Sequence, residues 1–196
     1  LLQTTRQLQD AGLKVFAFIS GDTLLRGPLH EGLPTLEAHR NMLPSAAFAD
    51  MVVRFGMDGV FLGDPGLSET ENARISRFCR ENILSIPASL APDYAYLYNK
   101  VFTCRVDSPK WLVRFKESRE YSCPGETVVP ANCTERTRGC ITIDNENYGR
   151  YSGEIQMIRS DLKADSRVNV IGQVSENALV LMDCIKGGQK FILVEP

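Results

Sequence analysis

One stretch of the sequence gathers most of the residue types that move protons or hold anions: Ser20 to Arg40, reading SGDTLLRGPLHEGLPTLEAHR. Both histidines of the chain, His30 and His39, lie in it, with the carboxylates Asp22, Glu31 and Glu37 and the cations Arg26 and Arg40. Carboxylates and imidazoles serve general acid–base chemistry, and a guanidinium offers phosphate a planar two-point grip. Gly21, Gly27 and Gly32 permit tight turns that aim backbone N–H groups at an anion. His30-Glu31 followed by His39 lacks the HExxH spacing, so no metal is expected, and nothing in the chain calls for a cofactor. Simpler roles exist for single residues. Glu37 and Arg40, three apart, also fit a solvated ion pair, and Asp22 after Gly21 fits an ordinary turn. Their concentration in one loop favours function.

Two further segments carry polar chemistry. Gly63-Asp64-Pro65-Gly66-Leu67-Ser68 runs straight into an expected helix N-terminus, where free amides and the helix dipole favour anions. Asp-Pro-Gly is also common turn chemistry. Thr142 to Tyr151 (TIDNENYGRY) is a polar, aromatic connection containing Asn145, Tyr148 and Arg150. It reads equally as a turn with two tyrosines covering the end of a small barrel.

The elements that must position these groups follow two grammars. Residues 1–81 read helix, strand, helix, strand, helix. Leu1 to Ala11 has helical polarity and stops at Gly12. Leu13 to Ile19 is a nearly continuous apolar run, as a strand covered on both faces requires. Thr35 is placed to cap a helix with Glu37 in its first turn, and Pro44 to open another toward Arg54. Gly59 to Leu62 is a second strand, and Ser68 with Glu71 forms a capping box for a helix toward Arg80. This alternation implies parallel strands with helical crossovers. A βα barrel of about 250 residues has eight units of roughly 31, so two strands are about a quarter of one, and both polar loops fall on its C-terminal rim. The rest is expected to precede Leu1, and this chain alone is expected to be inactive.

From residue 82 the sequence breaks into short strands: Ile83–Ile86, Lys100–Val106, Gly139–Ile143, Gly153–Arg159, Val168–Val174 and Lys190–Val194. Turn signals separate them, Ser108-Pro109 starts an expected short helix through Trp111 to Lys116, and Ser118 to Arg138 reads as a loop. The grammar suits a small antiparallel barrel with one or two helices.

Composition narrows the class. The chain has 196 residues, 22 Lys+Arg against 24 Asp+Glu, 43% hydrophobic and 23% charged residues. That is globular composition for one or two domains. A net charge of −2 supplies no sequence-wide field for nucleic acid or anionic lipid. No apolar run reaches the roughly 20 residues of a membrane span. The six cysteines are dispersed, without a CxxC pair and far from both histidines, which favours reduced cytoplasmic thiols over disulfides or zinc. No nucleic acid or membrane partner is expected, and a homo-oligomer stays open.

The strings AFISGDTLLRGPLHEGLPTLEAHR, VFLGDPGLSE, RGCITIDNENYGRYSGEIQ and RVNVIGQV resemble the 6-phospho-N-acetylmuramidase family, over nearly the whole chain. The resemblance implies the last two βα units of a TIM-type barrel in residues 1–81, followed by a cyclophilin-like β-barrel domain in residues 82–196. It implies hydrolysis of the 6-phosphorylated N-acetylmuramyl-N-acetylglucosamine disaccharide in cytoplasmic cell-wall recycling. Members carry the old label "outer surface protein", which is not a location. A glycosidase needs two carboxylates, and the candidates are Asp22, Glu31, Glu37 and Asp64. For the substrate, Arg26 is expected to hold the phosphate with amides around Gly63 and Gly66, and Arg105 or Arg150 to close over it. Gly27, His39, Asn145 and Tyr148 complete the expected binding set. The alternative is a non-catalytic sugar-phosphate or peptide-binding module.

Overall fold

A computed structural model describes residues 1–118 and 127–196. The chain divides into two compact units, Leu1–Asn82 and Ile83–Pro196. Together they make a mixed α/β fold.

In the first unit, helix α1 (Leu2–Asp10) ends before Gly12, whose φ of +81° is the left-handed stop the sequence suggests. Strand β1 (Phe16–Ile19) pairs in parallel with β2 (Gly59–Leu62), Phe16 opposite Gly59 and Ile19 opposite Leu62. The crossover contains α2 (Pro44–Val53), opened by its proline at the first turn. Helix α3 (Glu69–Glu81) follows β2 and packs on α2 with Phe78 edge-on to Phe48. Ala17, Ile19, Ala47, Met51 and Met57 form the core.

Two local expectations for this unit change. The apolar run is not covered on both faces: Ala17 and Ile19 are buried, whereas Phe16, Phe18 and Phe61 are 49%, 44% and 52% exposed. With two strands and helices on one side only, the second face has no covering layer among the described residues. Thr35 caps no helix either. Its Oγ1 accepts a hydrogen bond from the Phe18 N–H, and a single 3₁₀ turn, Glu37–His39, stands where the helix was expected.

The second unit is a curled seven-stranded sheet. Its strands are β3 (Ile83–Leu90), β4 (Val101–Thr103), β5 (Leu112–Arg114), β6 (Cys140–Asp144), β7 (Ile155–Ile158), β8 (Val168–Val174) and β9 (Lys190–Val194). The spatial order is β4-β9-β3-β8-β6-β7-β5, antiparallel except for the β3–β9 pair. A bridge between Cys104 and Phe115 joins the ends of the edge strands β4 and β5. Phe102, Phe115 and Phe191 cluster inside it, with ring centroids 4.7–5.9 Å apart. A short helix α4 (Val180–Cys184) lies between β8 and β9.

Where a helix was expected from Ser108 to Lys116, turns lead into strand β5. Val113 and Phe115 are buried while Arg114 between them is not, and that period of two belongs to a strand. The TIDNENYGRY connection joins the antiparallel pair β6–β7 as a hairpin loop, wound into 3₁₀ turns over Glu146–Tyr151. Cys79, Cys104, Cys133 and Cys140 are thiols, and Cys123 and residues 119–126 of the expected loop lie outside the described residues.

Candidate functional site

In the first unit the two polar loops after β1 and β2 are tied together by one carboxylate. Asp64, 5% exposed, accepts hydrogen bonds from the backbone N–H groups of Gly21 (2.8 Å), Arg26 (2.8 Å) and Leu33 (3.2 Å). Burial alone raises its pKa, but the three amides and the nearby Arg26 charge outweigh it and hold the carboxyl below the ordinary aspartate range. The loops approach so closely that side chains have no room. A Cβ on Gly21 would stand 2.0 Å from the Gly66 carbonyl, and one on Gly63 would stand 2.3 Å from that of Leu33.

The other candidates fall into engaged and open groups. Asp22 accepts from the Ser68 N–H at 2.7 Å, and Glu37 is held by two guanidinium N–H donors of Arg40. His39 is 1% exposed, its Nε2 2.8 Å from Asp50, which also pairs with Arg54; this takes it away from solvent. His30 is exposed, its Nδ1 3.0 Å from the Leu25 carbonyl, with Gly27 beside its ring. The expected amide donors are not available as drawn: Gly63 N–H bonds the Ile19 carbonyl and Gly66 N–H that of Leu24. Two groups stay open. The Glu31 carboxylate accepts no hydrogen bond among the described residues, although its charge reaches Arg40, which donates to the Glu31 backbone carbonyl at 2.7 Å. The exposed Arg26 guanidinium likewise makes no hydrogen bond there, and it lines a cleft of about 290 Å³ with Phe18, Gly63, Asp64 and Pro65.

The second unit holds a larger cavity, about 510 Å³, at the β5–β7–β6 end of the sheet. Strand alternation builds its wall. Leu112 and Arg114 face it from β5, and Glu154 and Gln156 from the start of β7, while Val113, Ile155 and Met157 point into the core. Arg114 forks onto Glu154, Nε to Oε1 at 2.5 Å and Nη2 to Oε2 at 2.9 Å. Asp144, the last residue of β6, lines the cavity at 3% exposure. Its pKa is pushed up to about 7, first by burial and then by the neighbouring Glu154 charge, against the opposing pull of Arg114 and Arg136. Trp111, Tyr148 and Tyr151 give the cavity aromatic walls, with Tyr151 edge-on to Tyr148.

Of the residues expected to bind substrate here, Tyr148 alone lines this cavity. Asn145 is fully buried, donating to the Asn169 side chain and the Ser166 carbonyl and accepting from Asn147 N–H, so it holds the backbone rather than facing solvent. Arg105 pairs with Asp107, and Arg150 folds onto the Tyr151 ring and hydroxyl. Trp111, Arg114, Asp144 and Glu154 were missed. The alternation Val113-Arg114-Phe115 was the available signal for Arg114.

Among the described residues no cluster of His, Cys, Asp and Glu could hold a metal, and no helix is long and apolar enough to cross a membrane. Curated proteins offer no match. Among solved structures, a conserved protein of unknown function from a locus in Enterococcus faecalis is similar over 98% of this chain and 53% of its own, with 34% identity and a TM-score of 0.86. An uncharacterized B. cereus protein shares the fold over 99% of this chain and 57% of its own, at 24% identity and a TM-score of 0.78. The chain thus spans a little over half the length of each. Residues 1–77 match the family model for the N-terminal part of 6-phospho-N-acetylmuramidase, and residues 86–194 match that for the C-terminal part. Both parts are represented, which leaves the expectation of an inactive C-terminal portion without support. On these two matches, the chain belongs to the 6-phospho-N-acetylmuramidase family.

Proposed function

We propose that the protein hydrolyses the glycosidic bond of a 6-phosphorylated N-acetylmuramyl-N-acetylglucosamine disaccharide in the cytoplasm, as part of cell-wall recycling. In this reading the parallel β1–β2 pair is wall of a TIM-type barrel, and the curled sheet is a cyclophilin-like domain. The observation that carries it is the Arg26 guanidinium, which stands over the Gly63–Pro65 loop without a hydrogen-bond partner among the described residues. A substrate phosphate is dianionic near neutral pH and asks for such a planar cation. Glu31 is the best-supported catalytic carboxylate, because Asp22, Glu37 and Asp64 already hold protein donors. An acid or base must be free to exchange its proton with the glycosidic oxygen or the attacking water.

Hydrolysis of the phosphorylated disaccharide, followed by release of the two sugars, tests the activity directly. Glu31→Gln should lower kcat roughly 100-fold or more while leaving KM near its original value. Arg26→Lys keeps the charge but loses the fork, so it should raise KM for the phosphorylated substrate more than for the unphosphorylated analogue. Equal loss on both substrates would assign Arg26 to loop structure. Binding without turnover by the unaltered protein would replace the enzyme with a sugar-phosphate-binding module.

A further inference from the structure

We propose that the cavity between β5, β6 and β7 in the second unit is a binding site for a neutral polyhydroxylated ring, a hexopyranose, stacked on Trp111 and hydrogen-bonded to Asp144. The first support is an unmet demand for a donor. Asp144 Oδ1 is buried and has no hydrogen-bond partner among the described residues. Leaving a buried polar group unmatched costs about 1–3 kcal/mol, and a ligand hydroxyl entering the cavity would satisfy it.

Charge then selects the ligand class. Glu154 is matched by Arg114, Asp165 by Arg167, and Arg136 donates to the Lys163 carbonyl. An anionic ligand would meet Asp144, Glu154 and Asp165 together. A cationic one would meet Arg114 and Arg136, whose charges both reach Asp144. A neutral ligand with many hydroxyls meets neither repulsion and supplies both donors and acceptors. The walls select its shape. Trp111 is 52% exposed although it is the chain's only tryptophan, and Tyr148 lines the same cavity. Flat aromatic faces beside hydrogen-bonding groups suit a pyranose, whose C–H face is apolar and whose rim is polar. The volume, about 510 Å³, lies within the range of roughly 300–1,000 Å³ usual for small-molecule sites. This site requires neither phosphate nor reaction, and so it goes beyond the hydrolysis proposed above.

Because Trp111 is the only tryptophan, its fluorescence reports on this cavity. Titration of the whole protein with N-acetylglucosamine at pH 7 should give a saturable change in tryptophan emission, with a millimolar or tighter Kd. Inorganic phosphate and ethylammonium, the anionic and cationic probes, should give none. Asp144→Asn preserves shape but replaces one carboxyl oxygen with an amide donor, and should weaken the sugar roughly tenfold, the worth of one hydrogen bond. Tyr148→Ala, on the wall, should also weaken it, and covers the case in which the Asp144 variant misfolds by circular dichroism. The proposal is overturned by the absence of saturable change at millimolar sugar, by unaltered affinity in the folded variants, or by an equal response to either ion. Hydrolysis of the phosphorylated disaccharide is measured separately on Arg26→Lys, so failure of the two proposals is distinguishable.

Discussion

Asp64 and Asp144 show how far environment divides one side chain. Asp64 is buried among three N–H donors and is held ionised, whereas Asp144 is buried beside Glu154 and holds its proton up to about pH 7. For Asp144 the native pKa lies above the unfolded value near 3.8, so between the two the folded state binds more protons. Its contribution to stability is therefore fully present at low pH and is lost as pH rises through 7. Among the charged groups around it, Glu154 and Asp165 raise the pKa and Arg114 and Arg136 lower it. Asp144→Asn should remove the loss, so that urea unfolding at pH 8 finds the variant more stable than the parent by about 2–4 kcal/mol. At pH 4.5 most of that gap should close. A parent and variant with parallel stability profiles would show that Asp144 is ionised throughout. Asp64→Ala should cost on the order of 3 kcal/mol, since it leaves three loop amides without an acceptor; denaturant unfolding measures it, and a loss below about 0.5 kcal/mol would refute the loop-tying role. Single-residue roles were readable in the sequence only where partners are local. Glu37–Arg40 at three residues apart was legible. The Asp64 partners at 21, 26 and 33 are separated from it by loops and a helix, and spacing cannot show them.

At the scale of elements every expected strand forms, whereas of the expected helix starts those at Thr35 and Ser108 open no α-helix and the one at Ser68 does. Ser68 caps α3 as its sequence indicates, accepting from Glu71 N–H at 3.2 Å. The reciprocal half of the capping box is different: Glu71 turns inward to Ser45 N–H and Arg74, and Asp22 from the preceding loop takes the Ser68 N–H instead. The helix start is thus coupled to the polar loop. Ser68→Ala should cost about 1 kcal/mol, whereas Asp22→Asn, which keeps an acceptor in place, should cost less; thermal unfolding of both variants checks the order. One strand, β5, was not legible. Ser108-Pro109 is a sound helix opening, yet long-range pairing of Leu112, Val113 and Arg114 with Ile158, Met157 and Gln156 prevails over the local signal. That error hid the larger cavity, whose wall takes Leu112 and Arg114 from one face of the extended segment.

For the molecule as a whole, the change in grammar near residue 82 is real chemistry. Parallel pairing with a helical crossover lies on one side, as the alternation required, and a largely antiparallel curled sheet on the other. What sequence could not convey is which faces are covered, since burial depends on the number of layers. A parallel sheet is ordinarily sheathed on both faces; β1 and β2 have helices on one face and Phe16, Phe18 and Phe61 stacked on the other, with Phe16 and Phe61 centroids 5.3 Å apart. Exposed aromatics grouped on a sheet form the kind of apolar patch that binds hydrophobic dyes and promotes association. The 196-residue chain should therefore bind anilinonaphthalene sulfonate while natively folded. Phe16→Ser combined with Phe61→Ser should reduce that fluorescence severalfold and lower self-association in sedimentation. Trp111→Ala, in the second unit, should leave both largely unchanged. Dye binding insensitive to the paired phenylalanine substitutions, in protein with native circular dichroism, would place the apolar surface elsewhere and show that the aromatic face is covered in solution.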